Sequence, residues 1–130
     1  MNLPKYCLDT HALAWYFMGR KTLSRIAKKI IDSIFSKKNN CFIPSIVLLE
    51  AFHISLKDKE FNFPTFLEKL RLKNIFIVPL DLKILSTSFS LPIQLEIHDR
   101  IICATALIHK CSLITKDSTI KKVPKLKTIW

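Results

Sequence analysis

Short apolar runs alternate with longer segments of helical spacing along this sequence, and that alternation limits the folds open to it. The predicted strands cover 5–8, 41–43, 75–80 and 112–115, with an edge strand at 127–130. The predicted helices cover 10–17, 23–35, 46–57, 65–71, 81–90 and 97–110. Strands that alternate with helices need crossover connections, which make neighbouring strands parallel. We therefore predict an α/β fold, with a mostly parallel central sheet between helix layers.

The length and the apolar content predict one domain over residues 1–130. Of the 130 residues, 49% are hydrophobic, and only one is glycine. This composition suits a single core and shows no linker or repeat. The apolar stretches are broken by Asp9, Glu50 or Pro92, short of the roughly 20 residues that a membrane span needs. We expect no membrane association and a cytoplasmic location.

The charge and the cysteine spacing indicate which ligands this chain can bind. Lys and Arg number 21 against 10 Asp and Glu, a formal net charge of +11. A surface this basic suits a polyanionic partner such as nucleic acid, although a merely solubilising surface explains the charge equally well. The four cysteines lie far apart without a C-x-x-C pair, which excludes the usual structural zinc sites.

Five of the ten acids stand where a solvated surface acid is not expected. Asp9 ends the first strand, at the sheet edge where ligands bind in such folds, although it is also suited to cap the helix that follows. Thr10 is the N-cap that we predict for that helix. The other four acids lie within an apolar helix, at a helix start or just after a strand: Glu50, Glu96, Asp99 and Asp117.

Carboxylates withdrawn from water are costly unless positive charge meets them. No Lys or Arg is regularly spaced to pair with all five acids, whereas one hard divalent cation would compensate them together. Mg²⁺ prefers oxygen ligands and is typically held by a few carboxylates with a substrate phosphate. An acidic pocket in a basic surface is the arrangement that metal-dependent phosphodiester cleavage needs.

Four segments resemble the motifs of PIN-domain ribonucleases, in particular the VapC-type toxins of prokaryotic toxin–antitoxin pairs. They are 8–13 with Trp15, 45–50, 98–107 and 113–117, in the family's order and covering nearly the whole chain. The resemblance implies a Rossmann-like α/β/α sandwich. It also implies a metal-dependent endoribonuclease that cuts single-stranded or structured RNA with a metal-activated water, leaving 5′-phosphate and 3′-hydroxyl ends.

The resemblance also implies a set of site residues and partners. The catalytic, metal-holding residues would be Asp9, Glu50, Asp99 and Asp117, binding Mg²⁺ or Mn²⁺. Thr10 would bond a metal water or orient Asp9, and Glu96 would give further support. The residues expected to hold the RNA backbone are Arg100, Lys116, Lys121 and Lys122. A cognate antitoxin protein and a second copy of the chain are the expected protein partners.

Several other interpretations stay open on the sequence. The first is a non-catalytic nucleic-acid-binding module of the same fold, and the second is a receiver-like signalling domain whose acids bind Mg²⁺. Glu50-x-x-His53 has the spacing of a di-iron ligand pair, but a bundle site needs two such motifs. A Ser-His-Asp arrangement lacks the glycines of a nucleophile elbow. We interpret His11 and His98 as ordinary helix-start residues.

Overall fold

Five strands and six helices alternate along residues 3–130, the part of the chain that the computed structural model describes. The first two positions of the predicted domain lie outside it. The strands are β1 Lys5–Leu8, β2 Asn40–Pro44, β3 Ile75–Val78, β4 Ser112–Ile114 and β5 Thr128–Ile129. The helices are α1 Thr10–Met18, α2 Arg25–Phe35, α3 Ser45–Lys57, α4 Phe63–Lys69, α5 Leu82–Phe89 and α6 Ile97–Ile108, with a 3₁₀ turn at Ile120–Lys122.

The sheet is parallel throughout and its strands run in the order β3-β2-β1-β4-β5. In the centre, Cys7 of β1 pairs with Phe42 of β2, and Leu8 of β1 pairs with Ile114 of β4. The order reverses between β1 and β4, and crossovers on either side of that reversal place helices on both faces of the sheet, since such crossovers share one hand. The α/β sandwich predicted from the alternation is therefore confirmed. Ligands in such sheets bind where the order reverses, outside the carboxyl ends of the strands.

The core forms because both faces of the central strands are apolar. Cys7, Leu8, Ile43, Leu113 and Ile114 have no exposed surface. Each helix adds an apolar stripe, and α2 does so with the spacing that the sequence shows, since its buried residues are Ala27, Ile31 and Ile34. Strands buried on both faces keep their ends fixed, so side chains that follow them are held on a rigid base.

The helix and strand ends lie within two residues of the predicted ones, and two local features explain where α1 is capped and where β3 ends. The N-cap of α1 is Asp9 and not Thr10, because Asp9 Oδ1 accepts a 2.9 Å hydrogen bond from the Ala12 amide. This leaves the Thr10 hydroxyl free for a contact elsewhere. Strand β3 ends at Val78, two residues earlier than predicted, because Pro79 has no amide hydrogen to donate to a neighbouring strand.

Within residues 3–130, no helix combines the length and the apolar character that crossing a membrane requires.

Candidate active site

A cleft of about 630 Å³ opens at the carboxyl ends of β1 and β4, where the strand order reverses. All five acids that the sequence singles out line it, although they are spread over more than a hundred positions: Asp9, Glu50, Glu96, Asp99 and Asp117. The parallel sheet explains this convergence, because two of the acids follow strand ends and the other three belong to helices that pack beside them.

Asp9 is held at the floor of the cleft by its position directly after β1. Its amide donates to the Ile114 carbonyl at 3.3 Å, and its carboxylate caps α1 through Ala12. Burial raises the pKa of Asp9 above its usual range, and the charge of Asp117 adds to that rise. The nearby Thr115 side chain and the hydrogen bond from the Ala12 amide oppose the rise in pKa.

Glu50 projects from the middle of α3 and has both carboxylate oxygens engaged. The Thr10 hydroxyl donates to Oε1 at 2.6 Å, and His98 Nδ1 lies 3.1 Å from Oε2. The side chain of Glu50 is only 28% exposed. The Thr10 hydroxyl therefore donates its proton to Glu50 and not to Asp9. The expected bond to a metal water stays a prediction.

Glu96 and Asp99 stand together at the start of α6. Glu96 is the N-cap, and its Oε2 accepts from the amides of His98 at 3.0 Å and Asp99 at 3.3 Å. The pKa of Asp99 is raised to about 6, first by burial and then by the negative charges of its neighbours. Those neighbours are Asp117, Glu96, Glu50 and Asp9. The pKa of Asp99 is thus raised by the negative charges of all four other acids of the cleft.

Asp117 lies in the loop between β4 and the 3₁₀ turn and lines the cleft. Its Oδ1 accepts from the amides of Thr119 at 2.7 Å and Ile120 at 3.1 Å. Its own amide donates to Thr115 Oγ1 at 3.1 Å. Thr115 is fully buried, and its side chain also lowers the pKa of Asp9, so it lies close to both of the acids that follow the central strands.

The carboxylate oxygens of the cleft are ligands that a hard divalent cation prefers, although they are not arranged as a complete coordination shell. Within residues 3–130, no three His, Cys, Asp or Glu side chains already surround a common point closely enough to hold an ion. The hydrogen bonds to Glu50, Glu96 and Asp117 explain this, since each holds an acceptor oxygen towards the protein. The oxygen donors and their mutual repulsion nevertheless match what Mg²⁺ requires and relieves.

The basic residues predicted to hold a nucleic-acid backbone fall in different places. Lys116 lines the cleft, whereas Lys121 and Lys122 lie exposed on the 3₁₀ turn beyond it. Arg100 points away from the acids. Its guanidinium donates to the carbonyls of Ser88 at 2.8 Å, Leu91 at 3.1 Å and Pro92 at 2.7 Å. The structure therefore does not bring Arg100 to the cleft.

Two residues of the site are missing from the sequence prediction. The sequence prediction places Thr115 at the end of a strand and gives it no role in the site. The only sequence feature that indicates such a role is its position two residues before Asp117. His98 reads from the sequence as an ordinary helix-start residue, but it lies against Glu50 and 3.6 Å from Glu96 Oε1. Its position beside Asp99 in the sequence is the available signal.

The strand order argues against the receiver-like interpretation. Receiver domains use the order 2-1-3-4-5, which differs from the order found here. The di-iron interpretation also fails on geometry, because His53 is exposed on α3 while Glu50 contacts Thr10 and His98.

Comparison with known proteins agrees with this geometry. The family model described as PIN domain matches residues 6–126. VapBC2 from Rickettsia felis, solved bound to a DNA fragment from its promoter, is similar with a TM-score of 0.71 and 20% identity over 96% of this chain and 97% of that one. A toxin–antitoxin complex from Klebsiella pneumoniae is similar with a TM-score of 0.69 and 22% identity over 96% of each chain. FitAcB from Neisseria gonorrhoeae is similar with a TM-score of 0.64 and 16% identity, also over 96% of each chain.

No curated protein matches the sequence. The solved structures, at these identities, establish the fold alone. The family model covers nearly the whole chain and includes every acid of the cleft. This chain therefore belongs to the PIN domain family.

Proposed function

We propose that this chain is a Mg²⁺- or Mn²⁺-dependent endoribonuclease, the toxin of a type II toxin–antitoxin pair of the VapC type, acting in the cytoplasm. The observation that carries the proposal is the convergence of five carboxylates in one cleft of a chain whose net charge is +11. Basic groups elsewhere attract a polyanion, while the acids repel its phosphates unless a cation lies between them.

In this mechanism Asp9, Glu50 and Asp99 would hold the divalent cation at the scissile phosphate, and Asp117, which lines the same cleft, would assist them. A divalent cation, when bound, supplies a water of lowered pKa and neutralises charge on the reacting phosphate. Thr10 and His98 fix the carboxylate of Glu50, which limits the directions in which it offers its remaining lone pairs. The Thr115 hydroxyl holds the backbone of Asp117 in the same way, by accepting the hydrogen bond of its amide.

Lys116 is the cation best placed to hold the RNA backbone, because it stands on the cleft wall beside Asp117. Lys121 and Lys122 extend the basic surface outwards from there. Since attack by water does not use the ribose 2′-hydroxyl, cleavage is expected to leave 5′-phosphate and 3′-hydroxyl ends.

The test is cleavage of a mixed RNA pool by the purified protein with Mg²⁺, with Mn²⁺ and with EDTA. We expect cleavage with either metal, none with EDTA, and cleavage by Asp99→Asn that is about 10²-fold slower or more. Ligation-based sequencing that requires a 5′-phosphate identifies the ends. Cleavage that persists in EDTA, or that Asp99→Asn carries out at the wild-type rate, would reject the metal mechanism. RNA binding without cleavage under any condition would favour the non-catalytic module instead.

An antitoxin is the protein partner that we propose. Two of the similar structures are described as VapBC2 and as a toxin–antitoxin complex. In this chain an apolar groove of about 640 Å³ adjoins the acidic cleft and shares Glu50 with it. Leu49 is 62% and Phe52 is 44% exposed along the groove. Co-purification with the product of the neighbouring reading frame, and its loss in Phe52→Asp, would test this partner.

A homodimer is also proposed, on the apolar surface around α5. Four large apolar side chains there are mostly exposed: Leu82 at 79%, Phe89 at 78%, Ile93 at 86% and Ile97 at 67%. Large apolar side chains that stay exposed on consecutive segments of a chain are typical of protein contacts. Analytical ultracentrifugation is expected to show a dimer for the wild type and a monomer for Phe89→Asp. A monomeric wild type would reject the proposal.

A further inference from the structure

A row of three rings borders the acidic cleft and is not explained by metal-dependent chemistry. The ring centroids of His11 and Trp15 are 5.5 Å apart, and those of Trp15 and Trp130 are 6.0 Å apart. His11 and Trp15 lie four residues apart on α1, so they occupy the same face of that helix. Both line the cleft that contains the carboxylates.

The row is accessible at one end and supported at the other. The side chain of His11 is exposed, and that of Trp15 is half-buried. Trp130 meets Trp15 edge to face, and it follows β5, which is paired with β4. The sheet therefore holds Trp130 in place, and Trp130 limits the orientations open to Trp15. A ring that is fixed before binding loses little entropy when a ligand packs on it.

The chemistry of the cleft separates the two parts of a nucleotide. Carboxylates repel the negatively charged phosphate of a nucleotide, but they do not repel its neutral base. Aromatic rings, in contrast, bind the flat face of any base by stacking. A base stacked beside the cleft would bring its phosphate to the acids without depending on the metal for its own binding. In a duplex the base faces are covered by their neighbours, so only an unpaired nucleotide offers this contact.

We propose that His11 and Trp15 form a base-stacking subsite that binds the base next to the scissile phosphate. This inference rests on the proposed ribonuclease function and adds the residues that bind the base. The first turns of α1 place Asp9 and the two rings on one continuous surface, with His11 nearer the acid. Binding of the base and positioning of the phosphate are thus assigned to neighbouring parts of one helix.

Intrinsic fluorescence gives a direct measure of the subsite. The chain has two tryptophans, so Trp130→Phe leaves Trp15 as the only one and keeps an aromatic ring behind it. In EDTA, which prevents cleavage, octa-adenylate is expected to quench this fluorescence. An abasic octamer with the same phosphates, and an RNA duplex of equal length, are expected to leave it nearly unchanged.

Affinities of variants complete the test. Trp15→Leu and His11→Ala are each expected to weaken octa-adenylate binding about tenfold, while binding of the abasic octamer stays the same. His11→Phe is expected to restore the affinity, since it keeps a ring. Phe76→Leu, which changes an exposed ring on β3 away from the cleft, is the matched control and is expected to alter neither affinity. Circular dichroism establishes that each variant is folded.

The outcomes separate this proposal from the ribonuclease function. If His11→Ala and Trp15→Leu bind octa-adenylate as the wild type does, while RNA is still cut with Mg²⁺, the stacking subsite is wrong and the ribonuclease stands. Equal affinity for the duplex and for octa-adenylate would also overturn the subsite. If the wild type neither binds nor cuts any RNA, both proposals fail.

Discussion

The hydroxyl of Thr10 donates a 2.6 Å hydrogen bond to Glu50 Oε1, which joins the first residue of α1 to the middle of α3. Thr10 is 5% exposed, so water does not compete strongly for this bond. The bond is possible because Asp9 takes the role of N-cap and leaves the hydroxyl free. Of these two adjacent residues, Asp9 thus caps the helix and Thr10 orients an acid of the cleft.

Thr10→Val is expected to lower Mn²⁺ affinity about tenfold, because removing a partner of a metal-holding side chain typically costs roughly 10- to 100-fold. Valine keeps the shape of the side chain but leaves Glu50 Oε1 without its donor. Titration calorimetry with Mn²⁺ measures the effect, and Thr10→Ser, which retains a hydroxyl, is the control. Equal Mn²⁺ affinity in Thr10→Val and the wild type would show that the hydrogen bond does not position Glu50 for metal.

Much of the fold is predictable because its signals are local and repeated. Each strand is a short apolar run, and α2 shows its buried face in its spacing. The convergence of Asp9 and Asp117 is also predictable, because acids that follow parallel strands must meet at one edge of the sheet. These features depend on sequence position and topology alone.

Contacts between distant side chains cannot be predicted in the same way. Thr10 and Asp9 are both good caps, and only the position of Glu50 on another helix decides which one closes α1. Arg100 follows Asp99 directly, but helical geometry turns consecutive residues to different sides. Only the carbonyls in and just after the last turn of α5, which precede Arg100 by 8 to 12 residues, show why the arginine turns away from the acid beside it.

Asp99→Asn is expected to stabilise the metal-free fold at neutral pH. The folded-state pKa of about 6 is above the ordinary aspartate value of 3.8, so the native state binds more protons between these pH values. Stability is therefore lost as pH rises through that window, and the loss is complete above it. Because Asp99 is half-exposed, solvent screening reduces the penalty to about 1 kcal/mol.

Urea unfolding in EDTA measures this effect. The variant is expected to match the wild type near pH 4 and to exceed its stability at about pH 7.5, above the raised pKa. Glu68→Gln, which changes an exposed acid on α4 away from the cleft, is the control and is expected to show no such pH-dependent gain. A variant no more stable than the wild type at the higher pH would mean that the acids do not repel one another appreciably.

Cleavage and RNA binding are expected to respond to different residues. Asp99→Asn should keep or slightly raise RNA affinity, because it removes negative charge facing the phosphates, while cleavage falls about 10²-fold or more. Lys116→Gln, and Lys121→Gln with Lys122→Gln, should weaken binding and flatten its salt dependence by about 0.7 log unit per log unit of salt for each phosphate that a lysine no longer neutralises. Filter binding at several salt concentrations, beside a cleavage assay with Mg²⁺, measures both. Wild-type cleavage by Asp99→Asn would refute the proposed site.

Arg100→Lys distinguishes a structural role for this residue from a role in RNA binding. The guanidinium bonds three carbonyls between Ser88 and Pro92, which ties the end of α5 to α6, and a single ammonium has no matching planar fork. Arg100→Lys and Arg100→Ala are therefore both expected to lower the free energy of unfolding, by about 1–3 kcal/mol where acceptors are left without donors. Neither should change the salt dependence of RNA binding. If Arg100→Lys is as stable as the wild type and only Arg100→Ala weakens RNA binding, the charge of Arg100 binds the RNA phosphates, as expected from the sequence.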